Sequence, residues 1–437
     1  MKLHIENIAK IEKADIEIDG ITVIAGENST GKSTVSKVLY CLFEAFHDLE
    51  NKIISEKRSS LTNILNRNLY KKETSSIENE NEFTPRVSIM NLKQIADIIM
   101  DIPIGLSKDD YANKISECLD QRGYFLENFD TLIDRIRRIN EMSESQINGA
   151  LINRCINLEF NSQFLPLYSG SDDKETVIDL MIQNDHINMT YNKNEKTFDI
   201  EKYISIAYEV IYLDNPYLID KLDKNTFFYR RGNNRIVATH EDKMFDMISR
   251  DEIDLQVSIF DEILDNETFK IFEDKLQNLL NGNFIKFDGE LRFQEDGIDE
   301  PIRVSNLSMG SKSLAIILKL IKNGYIKTRG IVILDEPEIH LHPKWQLYFA
   351  EILVMMQKEL DLHILITTHS PYFINALEVY SAKYEIADKI KFYLAELNEE
   401  NRAIFNDVTS PQKIGAIYKK LYTPLEELKR IVFEHEQ

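Results

Sequence analysis

A phosphate-loop motif near the start of the chain constrains the fold more than any other feature. Residues 26–33 read Gly-Glu-Asn-Ser-Thr-Gly-Lys-Ser, a full match to the pattern G-x-x-x-x-G-K-[ST]. The β-branched run at 21–25 before it is typical of a strand, and Val35, Val38 and Leu39 follow at helical spacing. In a strand, glycine-rich turn and helix N-terminus, backbone N–H groups and the helix dipole converge on phosphates. The motif therefore predicts a phosphate cradle.

Two side chains of the motif have predicted tasks of their own. Lys32 would reach the β- and γ-phosphates of a bound nucleotide, and the Ser33 hydroxyl would hold Mg²⁺. ATP and Mg²⁺ are therefore the predicted cofactors. A chance match on an ordinary loop is the alternative, which the strand and helix patterns on both flanks disfavour.

A second motif supplies two acids at the end of a predicted strand. Residues 331–334 read Ile-Val-Ile-Leu and lead into Asp335 and Glu336. This pattern is typical of a buried parallel strand that ends at the ligand edge of its sheet. Asp335 would hold Mg²⁺ through water, and Glu336 would orient or deprotonate the water that attacks the γ-phosphate. The alternative is a strand that ends in a capping acid pair.

Two further positions have anion-binding potential. Ser308 and Gly310 open a predicted helix that closes at Asn323, so its N-terminus offers free N–H groups. A plain N-cap is the alternative there. His369 follows the β-branched run at 364–368, where it can hydrogen-bond a γ-phosphate. The alternative for His369 is a core histidine with a backbone partner.

The composition is that of a soluble globular protein with two or three domains. The chain has 437 residues, of which 43% are hydrophobic and 29% charged. No apolar run predicts a signal peptide or a bilayer span. Cys41, Cys118 and Cys155 are scattered, which fits a reducing compartment and offers no metal-ligand spacing. We therefore expect a cytoplasmic protein without a membrane partner.

The charge balance disfavours a surface coated with basic groups for nucleic acid. The formal net charge is −21 at pH 7. A local basic groove stays open as an alternative to simple solvated faces. Its candidate residues are Arg135, Arg137 and Arg138, and Arg230, Arg231 and Arg235. Direct nucleic-acid binding is therefore undecided by the sequence.

Taken together, the motifs resemble the ABC-type ATPase head, in the branch that contains SMC-like proteins and OLD-like ATPases. The phosphate loop, Leu-Ser-x-Gly at 307–310, Asp335-Glu336 and the switch residue His369 occur in the family's order. The most specific part is 335–343, Asp-Glu-Pro-Glu-Ile-His-Leu-His-Pro. It resembles a segment of AAA-family ATPases from bacterial antiphage systems of the Septu, retron, Gabija and PARIS types.

The resemblance implies an α/β fold, a P-loop mixed sheet with flanking helices, in residues 1–45 and 174–405. Residues 46–173 would be a globular helical insertion that acts as a sensor or partner domain. Prolines and glycines interrupt it, and no sustained heptad supports a long coiled-coil arm. Residues 406–437 would be a C-terminal helical tail. The family's Q-loop glutamine is not identifiable, Gln183 being one candidate.

The resemblance also implies a composite active site. Two heads would sandwich two ATP molecules, so a homodimer or larger homo-oligomer would control a slow ATPase. The catalytic residues would be Lys32, Glu336 and His369, and the metal-binding residues Ser33 and Asp335. The nucleotide-binding residues would be Gly26, Glu27, Asn28, Ser29, Thr30, Gly31, Lys32, Ser33 and Thr34 of one chain, with Ser308 and Gly310 of the other.

Two functions from different classes follow. The first is the ATP-driven switch subunit of a two-component antiphage defence system. It would control a separate nuclease or toxin effector and answer a phage-derived trigger, because too few residues follow His369 for a nuclease domain of the OLD-like kind. The alternative is an SMC-like DNA-binding ATPase of recombination or repair, which the acidic balance and the missing arm disfavour.

Overall fold

The computed structural model places the phosphate loop at the end of an interior strand of an 11-stranded mixed sheet. The structure describes residues 1–71, 88–168, 174–223, 236–249, 259–339 and 341–435. The strands are β1 (Lys2–Ile8), β2 (Ile11–Glu17), β3 (Ile21–Gly26), β4 (Leu69–Lys71), β5 (Tyr124–Leu126), β6 (Val177–Ile182), β7 (Asp185–Asn192), β8 (Thr197–Lys202), β9 (Val210–Leu213), β10 (Gly282–Phe287), β11 (Glu290–Glu295), β12 (Ile302–Arg303), β13 (Ile331–Asp335), β14 (His363–Thr368), β15 (Ile390–Leu397) and β16 (Ala403–Asp407).

The sheet has a parallel half and a mostly antiparallel half. Its order is β8-β7-β6-β1-β2-β16-β15-β3-β14-β13-β9. From β15 to β9 every neighbouring pair is parallel. Strands β3 and β13 are buried at every residue, which explains their continuous apolar sequence. Because the carboxyl ends of parallel strands meet at one edge, the segments after β3, β9, β13 and β14 share that edge.

Helices flank the sheet and complete the predicted α/β fold, which is confirmed. They are α1 (Lys32–Phe46), α2 (Leu49–Asn68), α3 (Ile89–Met100), α4 (Lys108–Asp120), α5 (Phe129–Glu141), α6 (Glu144–Glu159), α7 (His240–Ser249), α8 (Ile259–Leu280), α9 (Met309–Lys322), α10 (Pro343–Leu360), α11 (Pro371–Lys383) and α12 (Gly415–His435). Short 3₁₀ turns occupy Pro216–Asp223, Val304–Asn306 and Ala387–Lys389. Strands β10, β11 and β12 form a separate small sheet.

The chain forms two compact units. The head consists of Met1–His47 and Leu151–Gln437, and the helical unit of Asp48–Ala150. The sequence predicts an insertion from 46 to 173, a segment that contains the helical unit and also residues 151–173 of the head. The second half of α6 binds head residues instead: Asn153 Nδ2 donates to the Lys196 carbonyl at 3.1 Å. A continuous helix crosses the boundary, and helical spacing alone does not show which unit each half contacts.

The helical unit has an apolar core of its own. Buried residues at helical spacing come from α2, α3, α4 and α5, and β4 pairs with β5 beside them. The buried set is Leu61, Ile64, Leu65, Leu69, Leu92, Ile95, Ala96, Ile99, Ile102, Tyr111, Ile115, Leu119, Leu126, Ile133 and Ile136. These short helices pack on one another, in keeping with the predicted globular insertion.

The C-terminal residues pack within the head. Helix α12 contacts α11 and β3, and the preceding strand β16 pairs with β15. The predicted tail at 406–437 therefore begins inside a strand of the main sheet, because Ala403–Asp407 follows β15 as a hairpin partner. Within the described segments, no helix combines the length and the apolar character needed to cross a bilayer.

Candidate functional site

The phosphate loop connects β3 to α1 in a conformation that only some residues tolerate. Gly31 is the N-cap of α1 and has a φ of 83°. A Cβ there would lie 3.2 Å from Ile11 Cγ1 and 3.3 Å from Ala403 Cβ. Glycine is therefore required at Gly31 for both backbone angle and space. The Thr30 hydroxyl donates to the Glu27 carbonyl at 2.8 Å and closes the turn.

Lys32 lies buried inside this loop. Its Nζ donates to the carbonyls of Gly26 at 3.0 Å and Glu27 at 2.9 Å. The same Nζ is 3.6 Å from Glu336 Oε1, and the side chain is only 4% exposed. Burial lowers the pKa of Lys32, and the nearby carboxylates oppose that shift. The loop therefore holds a cation at the position where the motif predicts phosphates.

Ser33 and Asp335 lie together at the base of the site. Asp335 is 9% exposed and receives hydrogen bonds from Thr367 Oγ1 and from Tyr212 OH, the latter at 3.2 Å. Burial raises the pKa of Asp335, while hydrogen bonds from Thr367 and Ser33 oppose the rise. A buried carboxylate that is costly to ionise without a counter-charge fits a cation site. A hydroxyl and a carboxylate are oxygen ligands of the kind that Mg²⁺ prefers.

Glu336 occupies a strained backbone position beside a histidine. Its φ is 48°, in the left-handed region that non-glycine residues seldom adopt. Its N–H donates to the Thr367 carbonyl at 2.9 Å. Its Oε1 is 3.5 Å from His369 Nδ1, and this contact is the main reason that the pKa of Glu336 is lowered. Conversely, Glu336 raises the pKa of His369. The His369 side chain is 43% exposed, which argues against the core-histidine alternative.

Glu338 connects the acidic motif to the end of β14. It is 3% exposed, and its Oε1 accepts hydrogen bonds from Thr368 Oγ1 and from the His369 N–H at 3.0 Å. Burial raises the pKa of Glu338. Glu338 therefore fixes the backbone that carries His369. Glu338 belongs to the 335–343 segment, but the sequence alone predicts no role for it. His340 of the same segment lies outside the described residues.

A cleft of about 510 Å³ lies at the ligand edge of the sheet, beside these side chains. Its lining includes loop residues Asn28, Ser29 and Ser33, the acids Asp335 and Glu336, and the segment after β9. That segment, Asp214 to Tyr217, is missing from the predicted site. The apolar run at 210–213 directly before it could have indicated this segment, because that run forms β9, the parallel neighbour of β13. Gln183, the candidate Q-loop residue, lies in the turn between β6 and β7. Six strands separate β6 from β13 in the sheet, so Gln183 does not lie at the cleft.

A buried histidine, His240, contacts the cleft residue Asp214. The two ring nitrogens of His240 contact carboxylates, Nδ1 facing Glu159 Oε1 and Nε2 lying 3.0 Å from Asp214 Oδ2. The ring stacks on Tyr212 with centroids 4.3 Å apart. Burial disfavours the charged ring, but hydrogen bonds with Asp214 and Glu159 outweigh it and raise the pKa of His240 to about 9. His240 is therefore an imidazolium that fixes Asp214.

This network predicts a pH-dependent stability. An unfolded histidine has a pKa of about 6.5, so the network stabilises the fold fully below that pH, and the stabilisation disappears as pH rises through about 9. The free energy of unfolding should fall by about 3 kcal/mol over this window. Urea unfolding at several pH values measures it. The slope should flatten in His240→Gln and persist in His186→Gln; equal slopes in all three proteins would contradict the assignment.

Ser308 and Gly310, the residues predicted to face a partner's nucleotide, are not among the described residues that line the cleft of their own chain. Ser308 caps α9 through its Oγ, which accepts from the Ser311 N–H at 3.2 Å, and it is exposed. The structure thus brings together the loop, Asp335, Glu336 and His369. Helix α9 reaches their cleft at Ser313, one turn beyond Gly310.

Comparisons with known proteins agree with these features. A family model described as "AAA domain, putative AbiEii toxin, Type IV TA system" matches residues 131–375. The chain is 32% identical to an OLD nuclease of Thermus scotoductus over 88 residues, 20% of this chain and 16% of the relative. It is 26% identical to the Septu protein PtuA of Bacillus thuringiensis over 204 residues, 43% of this chain and 47% of the relative. The matched stretch thus spans less than half the length of either relative.

Solved structures that align with most of the chain include two SMC heads. The SMC head domain from Thermotoga maritima has a TM-score of 0.39 and 11% identity, with 93% of this chain and 98% of that chain covered. An SmcHead bound to the C-winged helix domain of ScpA has a TM-score of 0.43 and 10% identity, with 95% and 98% covered.

The family match covers more than half of the chain and includes the helix with Ser308, the acidic motif and His369. With the two curated relatives, it confirms the resemblance to AAA-family ATPases, and the chain is similar to an OLD nuclease and to the Septu protein PtuA. Such membership implies nucleotide binding. The chain belongs to the family described as "AAA domain, putative AbiEii toxin, Type IV TA system".

Proposed function

We propose that this chain is an ATP-hydrolysing switch of a two-component antiphage defence system, which dimerises around ATP and controls a separate nuclease or toxin. One observation carries the ATPase part of the proposal. Ser33, Asp335 and Glu336 come from distant parts of the chain and line one cleft. Lys32 Nζ and His369 Nδ1 lie 3.6 and 3.5 Å from Glu336 Oε1. Together, the chemistry of these residues is that of phosphate binding, cation binding and water activation.

Nucleotide binding would rearrange the contacts of Lys32. Its ammonium now bonds two loop carbonyls and lies near Glu336. Phosphate oxygens would accept hydrogen bonds from Lys32 and from the N–H groups at the α1 N-terminus. Glu336 would then lose part of its positive surroundings and become free to bind a water molecule. Through Lys32, ATP binding would thus free the Glu336 carboxylate to bind the attacking water.

Mg²⁺ fits Ser33 and Asp335, which would hold it on the phosphate side of the cleft. The ion would neutralise charge on the β- and γ-phosphates. Asp335 is already oriented for this task by Tyr212 and Thr367, and Tyr212 is in turn stacked on His240. The residues behind Asp335 therefore act by fixing one carboxylate in place.

Glu336 would orient the attacking water and accept its proton. Its lowered pKa keeps the carboxylate ionised at neutral pH and also makes it a weak base. His369, held near it by Glu338, would donate a hydrogen bond to the γ-phosphate. A weak base in an open cleft supports slow turnover until a further element closes the site.

The N-terminus of α9 in a second chain is the proposed closing element. It presents backbone N–H groups and the Ser308 hydroxyl, and it carries a partial positive charge. In its own chain α9 lines the cleft only at Ser313, whereas Ser308 and Gly310 are not among the described lining residues. In a twofold dimer each α9 would meet the partner's ATP. Hydrolysis would then depend on dimerisation, and a bound effector would sense the dimer's formation and release.

A subunit-mixing experiment tests the composite site. Lys32→Ala removes the loop lysine, and Gly310→Asp places a negative charge at the α9 N-terminus, where acids stabilise the helix but repel phosphate. Each variant alone should have almost no turnover. An equimolar mixture should regain up to about a quarter of wild-type turnover, because half of the dimers are mixed and each has one intact site.

Mixing two preparations of the same variant is the control and should restore nothing. If the mixture of the two variants stays as inactive as each variant alone while the two variants still form a mixed dimer in the presence of ATP, both halves of the site come from one chain. That result would refute the proposed dimer.

The defence role rests on the names of the relatives and on the 335–343 segment. The Septu protein PtuA and the OLD nuclease support an ATPase subunit linked to an effector. An effector partner should co-purify with the tagged chain from its native host. DNA degradation by the pure chain in the absence of any partner would contradict the assignment of the effector to a separate protein.

A further inference from the structure

We propose that the helical unit contains a second ligand site, which binds the phosphate group of a nucleoside monophosphate. A cavity of about 400 Å³ lies between α2 and α5, entirely within this unit. Its lining is Ser60, Asn63, Ile64, Arg67, Asn68, Leu132, Arg135 and Ile139. The proposal is independent of the ATP site, since it rests on other residues.

The lining has helical spacing on both sides. Ser60, Asn63 and Arg67 lie at i, i+3 and i+7 on α2, and so form one face of that helix. Leu132, Arg135 and Ile139 repeat the same spacing on α5. Two guanidinium groups therefore face one cavity from two helices that pack against each other.

The two arginines of the cavity have no carboxylate partner among the described residues, whereas three other basic side chains of the unit do. Arg58 is paired with Asp97 at 2.5 Å, Lys108 with Asp134 at 2.7 Å, and Arg137 with Glu141 at 2.9 Å. In the same described set, Arg67 and Arg135 form neither an ion pair nor a hydrogen bond. In a chain with a net charge of −21, two open guanidinium groups at one cavity mark a local anion site.

The lining also selects the kind of anion. Guanidinium forks bind phosphate oxygens in pairs, and the Ser60 hydroxyl and Asn63 amide add further donors. Ile64, Leu132 and Ile139 give the cavity an apolar side, which a bare phosphate would leave unused. A volume of 400 Å³ lies within the range of small-molecule sites and accommodates a base and sugar beside the phosphate.

Calorimetry on the full chain tests this site. The phosphate loop is first saturated with a non-hydrolysable ATP analogue, and then UMP, CMP, AMP and GMP are titrated in turn. We expect one further binding event per chain. Arg67→Ala and Arg135→Ala should each weaken it about tenfold or more, because each removes charge-assisted hydrogen bonds to phosphate.

Arg138→Ala is the matched control, since it removes the same charge from the same helix outside the cavity. It should leave the affinity unchanged. Equal weakening by Arg135→Ala and Arg138→Ala would overturn the proposal, as would the absence of binding by all four nucleotides. Inorganic phosphate should bind more weakly than the nucleotides; equal affinity would refute the role given to the apolar side.

Discussion

Glu336→Gln is expected to reduce ATP turnover by about a hundredfold to a thousandfold while ATP affinity stays close to that of the wild type. The amide keeps the shape of the side chain and the backbone geometry at φ 48°, but it cannot accept a proton from the attacking water. It also removes the negative charge beside Lys32 and His369. The ATP-bound dimer should therefore persist, because binding is intact and hydrolysis is blocked.

Three measurements separate this outcome from general damage. Phosphate release gives turnover, calorimetry gives ATP affinity, and size-exclusion chromatography with ATP gives the dimer fraction. Glu359→Gln makes the same change on an exposed position of α10 and should match the wild type. If Glu336→Gln retains near-wild-type turnover, Glu336 is not the base, whatever the dimer does.

The site residues at the strand ends could be predicted because the pattern that identifies each of them lies within a few residues of it in the sequence. The phosphate loop, the acids after β13 and the histidine after β14 each follow a β-branched apolar run within a few residues. Parallel strands then deliver these ends to one edge, as the pairing of β13 with β14 and of β14 with β3 shows. A sequence motif thus implied a three-dimensional neighbourhood without any knowledge of the connecting segments.

The residues that hold the cleft side chains in place could not be predicted in the same way. His240 belongs to α7, yet its partners are Glu159 in α6 and Asp214 after β9. Each of these residues is an ordinary helix or strand-end residue when taken alone. Only the packed fold shows that two carboxylates enclose one imidazole. The boundary between the two units lies inside α6 and likewise depends on contacts that only the packed fold shows.

Asp214 shows how far a weak signal extends. Residues 210–213 read Val-Ile-Tyr-Leu, and the structure places this apolar run as β9, directly beside β13. A residue that follows a parallel strand next to the acidic motif had to reach the ligand edge. The sequence therefore contained the position of Asp214, but the partner that fixes its side chain comes from a different region of the chain.

Lys32→Ala should weaken ATP binding about a hundredfold, and turnover should fall with it. The ammonium is the buried cation of the loop, and its charge-assisted hydrogen bonds to two phosphates contribute about 3 kcal/mol to binding. Unlike Glu336→Gln, this variant should form no ATP-dependent dimer, because nucleotide never occupies the cleft. Calorimetry with ATP in the presence of Mg²⁺ measures the affinity directly.

Lys37→Ala provides the control for Lys32→Ala. Lys37 lies on the same helix, where its Nζ donates to the Glu159 carbonyl at 3.3 Å and not to the loop carbonyls that Lys32 contacts. Its loss should leave ATP affinity unchanged. The pair of variants in Lys32 and Glu336 then separates two steps, since one removes binding and the other removes hydrolysis after binding. Wild-type ATP affinity in Lys32→Ala would show that the main-chain N–H groups of the loop bind the phosphates without the lysine.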